Sequence, residues 1–234
     1  MSASHWFSKS YLDSRKRFLT SINELSDLGY KVKTDHLLIE AKGSDEEELT
    51  IDIAVVGSLE SEKMLISSSG VHGVEGYPGS AIQLSIIDEM KKTIMFADVC
   101  IIFIHSINPY GMSWLRRVNE NNVDLNRNFL EKHEGEPEGY KFIDKFVNAP
   151  GLPNKFDPTF YIQGIQLLVR YGFTNIKQWF AQGQYTRPKS LQYGGDKLQE
   201  GPSLIIEWLK KNLQKTKEIF LSLIHISEPT RQSL

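Results

Sequence analysis

Val99-Cys100-Ile101-Ile102-Phe103-Ile104 is an unbroken apolar run of six residues. It is far short of the roughly 20 residues a membrane-crossing helix needs, and it lacks the polar alternation of a strand with one wet face. The run therefore predicts a strand buried on both sides. Upstream lies a second short strand, Met64 to Ser68, and between the two Ile82, Ile86, Met90 and Ile94 recur at helical spacing over residues 77–95. Strand, helix and buried strand in that order form a crossover unit with parallel strands. Sites in open sheets of this kind form beyond the carboxyl ends of strands. Two stretches fall there, Gly70 to Gly76 and the segment after Ile104.

The flanking sequence extends this sheet. Phe7, Tyr11, Phe18, Ile22 and Leu25 predict an amphipathic helix over residues 6–28, ended by Gly29. Leu37 to Ile39 and Leu49 to Val56 flank the polar Lys42 to Glu48 and read as a hairpin at one sheet edge. Helices are predicted from Asp157 to Ala181 and from Ser203 to Leu213, their Trp and Leu stripes being core faces. Pro150, Pro153 and Pro158 mark the loop before the first of them. The expected fold class is α/β, a mixed, mainly parallel sheet between helix layers.

Composition narrows the partners. With 27 Lys+Arg against 29 Asp+Glu, the net charge of -2 recommends neither nucleic acid nor an anionic membrane. The amino terminus shows no signal-peptide pattern, so the expected location is cytoplasmic. The single Cys100 has no internal partner, and its apolar setting suits a buried side chain.

Gly70-Val71-His72-Gly73-Val74-Glu75-Gly76 carries the first chemical signal. Imidazole and carboxylate are both good zinc ligands, and the three glycines let the backbone turn tightly enough for both to face one ion. Taken alone, the stretch reads first as a surface turn with a solvated carboxylate. The second signal is His105 to Asn119 followed by Val123 to Phe129, too rich in Asn and Arg for a core. It suggests a pocket wall that donates hydrogen bonds to an anionic group, the alternative being a solvated loop. His5, His36 and His133 lie in polar contexts and are expected to be solvent-exposed.

In order, these motifs are His-x-x-Glu after a strand, Asn108-Pro109-Tyr110-Gly111 after the next, Arg116-Arg117, and Val123-Asp124-Leu125-Asn126-Arg127-Asn128-Phe129. Their series resembles the zinc carboxypeptidases and the aspartoacylase and succinylglutamate desuccinylase group. The fuller wording, with Gly183-Gln184-Tyr185 and Tyr193-Gly194-Gly195, is similar to an uncharacterised bacterial branch of that superfamily. The resemblance covers most of residues 7–220.

That resemblance implies a zinc-dependent hydrolase cleaving an amide bond next to a substrate carboxylate. It makes His72 and Glu75 zinc ligands, with Asp124 a carboxylate that orients the His72 ring. Asn126 and Arg127 would hold the carboxylate of a small-molecule or peptide substrate. Arg117, or alternatively Arg116, would stabilise the oxyanion. His105 occupies a position that does not touch metal in the relatives. An N-acyl amino acid deacylase and a non-catalytic binder of peptide or cell-wall carboxylates are the alternative readings.

Two parts expected of such an enzyme, a third zinc ligand and a catalytic Glu, do not occur before Phe220. Leu221 to Arg231 resembles the translation of a transposase adapter used in sequencing libraries. The expected organisation is therefore an amino-terminal hydrolase portion over residues 1–220 and a non-native tail over 221–234. His225 would fall near a third-ligand position by coincidence, and the polypeptide as written is expected to be inactive.

Overall fold

A computed structural model describes residues 3–93, 99–148 and 158–213, together with the backbone of 218–223. The described residues form two compact units, one drawn from Met1–Glu120 and Gln199–Pro229, the other from Asn121–Leu198.

The first unit is built on a sheet of five strands: β1 (Val32–Lys42), β2 (Glu48–Val56), β3 (Lys63–Ser68), β4 (Val99–His105) and β5 (Glu218–Leu223). Their order is β1-β2-β4-β3-β5. The β1–β2 and β2–β4 pairings are antiparallel, and β3–β4 and β3–β5 are parallel. This is the mixed sheet expected from the hairpin plus the crossover unit. β5 crosses the anticipated boundary at residue 220, and His225 lies outside the described residues.

Helices α1 (Tyr11–Asp27) and α2 (Gly76–Lys92) cover one face. Phe18, Ile22 and Leu25 of α1 and Ile87 and Met90 of α2 pack with Ala54 and Val56 of β2 and Ile101 and Phe103 of β4. The register explains the grouping, since Ala54 lies opposite Phe103 and Val56 opposite Ile101. Alternate residues serve the other face, where α6 (Glu200–Asn212) sends the Trp208 indole N–H to Asp35 at 2.8 Å. Residues on both faces of β4 are buried, as its unbroken apolar run requires, and Cys100 is fully buried with its thiol pKa pushed up to about 11 by desolvation.

The amino-terminal helix is shorter than its periodicity suggests. Ser10 caps it by accepting from the Asp13 amide, Gly29 follows its end at φ +92°, and Phe7 lies outside it, half exposed.

The second unit contains α4 (Tyr140–Val147) and α5 (Pro158–Gln182), while the short α3 (Pro109–Ser113) belongs to the first unit. Helix α5 corrects one expectation. Its apolar stripe is not a core face: no residue of α5 is buried, and Ile165, Val169 and Phe173 are 61, 83 and 70% exposed. Gly172, at φ 75° and ψ 153°, breaks it into two helical pieces, so one continuous stripe cannot form. Helix α6 does bury its stripe, through Ile205 and Trp208. Among the described residues, no helix is long and apolar enough to cross a membrane.

Candidate metal centre

The turn after β3 is held by its neighbours. The Ser69 amide donates to the Ile104 carbonyl at 3.0 Å, the Ile107 amide to Ser69 at 2.9 Å and the Asn108 amide to Gly70 at 2.8 Å, which stitches together the chains leaving β3 and β4. Gly70 sits at φ +69°, where a side chain is strained. Gly73 needs space instead: a Cβ there would lie 2.0 Å from the Gly111 carbonyl carbon.

His72, extended, precedes a single 3-10 turn (Gly73–Glu75) that runs into α2. This geometry brings the side chains of His72 and Glu75 together, with Nδ1 3.2 Å from Oε2. The His72 side chain is 7% exposed and that of Glu75 is 27% exposed, so the pair has one buried and one open member. Two ligands each about 2.05 Å from one tetrahedral zinc ion lie about 3.3 Å apart, and the observed separation fits that spacing. These residues therefore fit two positions of a zinc site. Among the described residues, no group of three or more His, Cys, Asp or Glu side chains gathers around a common point.

The segment carrying both arginines is fastened to this turn. The Gly73 amide donates to the Arg117 carbonyl at 3.2 Å and the Val74 amide to the Arg116 carbonyl at 3.0 Å. Arg116 is exposed and Arg117 half-buried. His72, Glu75 and Arg117 are thus brought together through the main chain within the first unit.

Asp124, Asn126 and Arg127 belong to the second unit. Asp124 is fully buried and accepts from the Asn126 amide at 3.0 Å, capping the 3-10 turn Leu125–Arg127. Arg127 is also buried. Its Nε and Nη2 donate to the Ala181 carbonyl at 3.1 and 2.6 Å and its Nη1 to the Asn126 carbonyl at 3.2 Å. The Tyr185 hydroxyl donates to the Arg127 carbonyl at 2.8 Å, and a bridge between Gln184 and Tyr193 joins the two later glycine motifs. Burial, more than the neighbouring Asp124, raises the Tyr185 pKa against the lowering pull of Arg127.

The asparagine-rich stretches require a second correction, because three of their amides brace backbone or neighbouring side chains and do not form a donor wall. Asn108 accepts from the Gly111 amide at 2.8 Å and donates to the Arg117 carbonyl. Asn119 donates to Gln199, and Asn128 to the carbonyls of Gly194 and Lys197. Each is nearly or fully buried, where an amide must be satisfied internally.

His105 ends β4 inside the core, as its strand-end position suggested. Its Nε2 lies 2.9 Å from the Ser14 hydroxyl and 3.2 Å from that of Ser80, its ring stacks on Phe18, and burial lowers its pKa to about 4. His133 is half-buried against the Asn128 carbonyl and is not fully solvated as expected. His36 is exposed but bonds to Asp52 at 2.6 Å. The Asp52 carboxylate is completely buried and also receives Nε and Nη2 of Arg15 at 2.8 and 3.1 Å. Sequence reasoning missed this network, whose visible signal is one acid inside the apolar strand Leu49 to Val56.

A family profile described as "Protein of unknown function (DUF2817)" matches residues 7–226. The chain belongs to that family. No curated protein matches this DUF2817 member. Among solved structures, it is similar to bovine thrombin-activatable fibrinolysis inhibitor in complex with tick carboxypeptidase inhibitor. That match has 15% identity and a TM-score of 0.53 over 91% of this chain and 59% of the other. A second structure of thrombin-activatable fibrinolysis inhibitor matches with the same identity and TM-score over 94% of this chain and 50% of the other. The chain thus spans between half and three-fifths of the length of these neighbours. The DUF2817 chain shares the fold of these proteins.

Proposed function

We propose that this DUF2817 chain carries the metal-binding part of a zinc-dependent hydrolase of the carboxypeptidase type, which cleaves an amide bond beside a substrate carboxylate. The observation that carries this reading is the His72–Glu75 pair, 3.2 Å apart on a turn leaving a parallel strand. The shared fold supports the same superfamily.

His72 and Glu75 would hold the zinc ion, which would supply Lewis acidity at the scissile carbonyl. The chain's own residues do the rest. The stitched turn holds the imidazole and carboxylate in place before any ion arrives, which reduces the ordering cost of binding. Arg117 is the proposed donor to the developing oxyanion, its main chain fixed to the same turn. Asn126 and Arg127 are the proposed carboxylate binders, a role for which a planar guanidinium is better shaped than an ammonium.

The experiment is a zinc titration of the 234-residue chain beside its His72→Ala, Glu75→Ala and His225→Ala forms, with hydrolysis of acyl amino acids and peptides followed in parallel. Uptake should fall at least tenfold in His72→Ala and Glu75→Ala. Equal uptake in all four proteins would remove the basis for the proposal. Turnover that disappears in both His72→Ala and His225→Ala would make His225 a working ligand and refute the reading of residues 221–234 as a foreign tail.

A further inference from the structure

Helices α4 and α5 enclose a groove of about 340 Å³, within the usual size range of small-molecule sites. One stripe of each helix lines it. From α4 come Phe142, Lys145 and Phe146, at steps of three and one. From α5 come Gln163, Gln166, Leu167, Arg170 and Tyr171, at i, i+3, i+4, i+7 and i+8. Three aromatic rings form part of its wall: Phe142 and Tyr171, stacked with centroids 4.9 Å apart, and Phe146, which is backed by Phe160 at 4.4 Å.

The charge of this lining has one sign. Lys145 and Arg170 contribute two cations, Gln163 and Gln166 contribute neutral amides, and no lining residue is acidic. The nearby Asp144 is occupied by Arg187 at 2.7 Å and by Ser190 at 3.0 Å. Among the described residues, neither Lys145 nor Arg170 has an acidic partner. Arg170 lies with its guanidinium carbon 5.3 Å from the Tyr171 ring centre, a placement that keeps its plane beside the aromatic wall.

We propose that this groove binds a small amphipathic carboxylate, its flat apolar body between the aromatic walls and its carboxylate on Arg170 and Lys145. Each part of such a guest meets its complement. An aromatic or acyl body covers ring surface otherwise left to water, and the carboxylate gains charge-assisted hydrogen bonds from a fork and an ammonium. A cationic guest of the same shape meets two like charges. The site is independent of the His72–Glu75 pair and stands whether or not that pair binds metal.

Calorimetric titration with 2-naphthoate, 2-naphthamide and 2-naphthylmethylammonium tests this at low ionic strength. Naphthoate should saturate a single site at least tenfold more tightly than the amide, with the ammonium weakest. Arg170→Gln and Lys145→Gln should each weaken naphthoate severalfold and leave the amide unchanged, whereas Phe146→Ala should weaken both. Both cations lie on exposed helix surface, so these variants should keep the parent's circular dichroism and melting temperature. His72→Ala should bind naphthoate as the parent does. Equal affinity for naphthoate and naphthamide, failure to saturate, or naphthoate binding indifferent to both charge removals would overturn the proposal.

Discussion

Gly73 crosses Gly111 so closely that a Cβ on it would stand 2.0 Å from the Gly111 carbonyl carbon and 2.2 Å from its Cα. The obstacle is backbone, which cannot rotate aside. Gly73→Ala should cost about 3 kcal/mol or more, the range of severe overpacking, and should abolish zinc uptake by displacing His72. Val74→Ala, at an exposed position of the same turn, serves as the control. Urea midpoints for the two variants check this, and equal midpoints would show that the crossing can relax.

His105 should make the protein acid-sensitive. Its folded pKa, about 4, lies below the 6.5 of an unperturbed imidazole because the ring is fully buried. Between those values the unfolded chain binds the extra proton, so stability is complete above pH 6.5 and is lost as pH falls towards 4, by a few kcal/mol in order of magnitude. His105→Gln, which can still bond Ser14 or Ser80, should flatten that part of the profile. Chemical denaturation at pH 7 and pH 5 measures the difference, and an unchanged slope would place the acid sensitivity elsewhere.

Asp52 is the buried centre of a three-residue hydrogen-bonded cluster whose other members reach solvent, with side-chain exposures of 29% for Arg15 and 45% for His36. Removing the acid strands the Arg15 guanidinium in a part-buried position and leaves the Thr50 hydroxyl without this acceptor. Asp52→Ala should cost about 3 to 5 kcal/mol, in line with breaking a buried pair from one side. His36→Ala should cost about 1 kcal/mol or less, as for exposed pairs. The ranking is checked by thermal or urea unfolding, and similar losses for the two would show that solvent reaches Asp52.

Arg127 donates twice to the Ala181 carbonyl and once to that of Asn126. Lysine cannot reproduce the fork, so Arg127→Lys should lower stability by about 1 to 3 kcal/mol, the loss expected when buried acceptors go unsatisfied. Amide hydrogen exchange around Gly183 to Tyr185 should quicken as well, since Gly183 packs on the Arg127 side chain. Unchanged stability and exchange would assign the guanidinium to substrate alone.

Most of the sheet could be read from local pattern. The buried run of β4, the polar tip between Lys42 and Glu48, and the helical spacing of α1 and α2 each follow from side-chain period and backbone geometry over a few residues. The spacing that lets His72 meet Glu75 was legible too, in a short glycine-punctuated turn, but the contacts that hold that turn come from the segment after β4 and were not.

Tertiary structure alone decided what the polar side chains face. Asn128 reaches carbonyls 66 and 69 residues away and Asn119 an amide 80 residues away, so nothing local distinguishes these braces from ligand donors. The stripe on α5 has the period of a core face, yet the eight residues of α4 cover only part of its 25-residue length and Gly172 breaks its line. Periodicity states which side chains share a face because the backbone repeats every few residues. Whether that face is buried depends on which distant surface arrives to cover it, and that is set by the long-range packing of the whole chain.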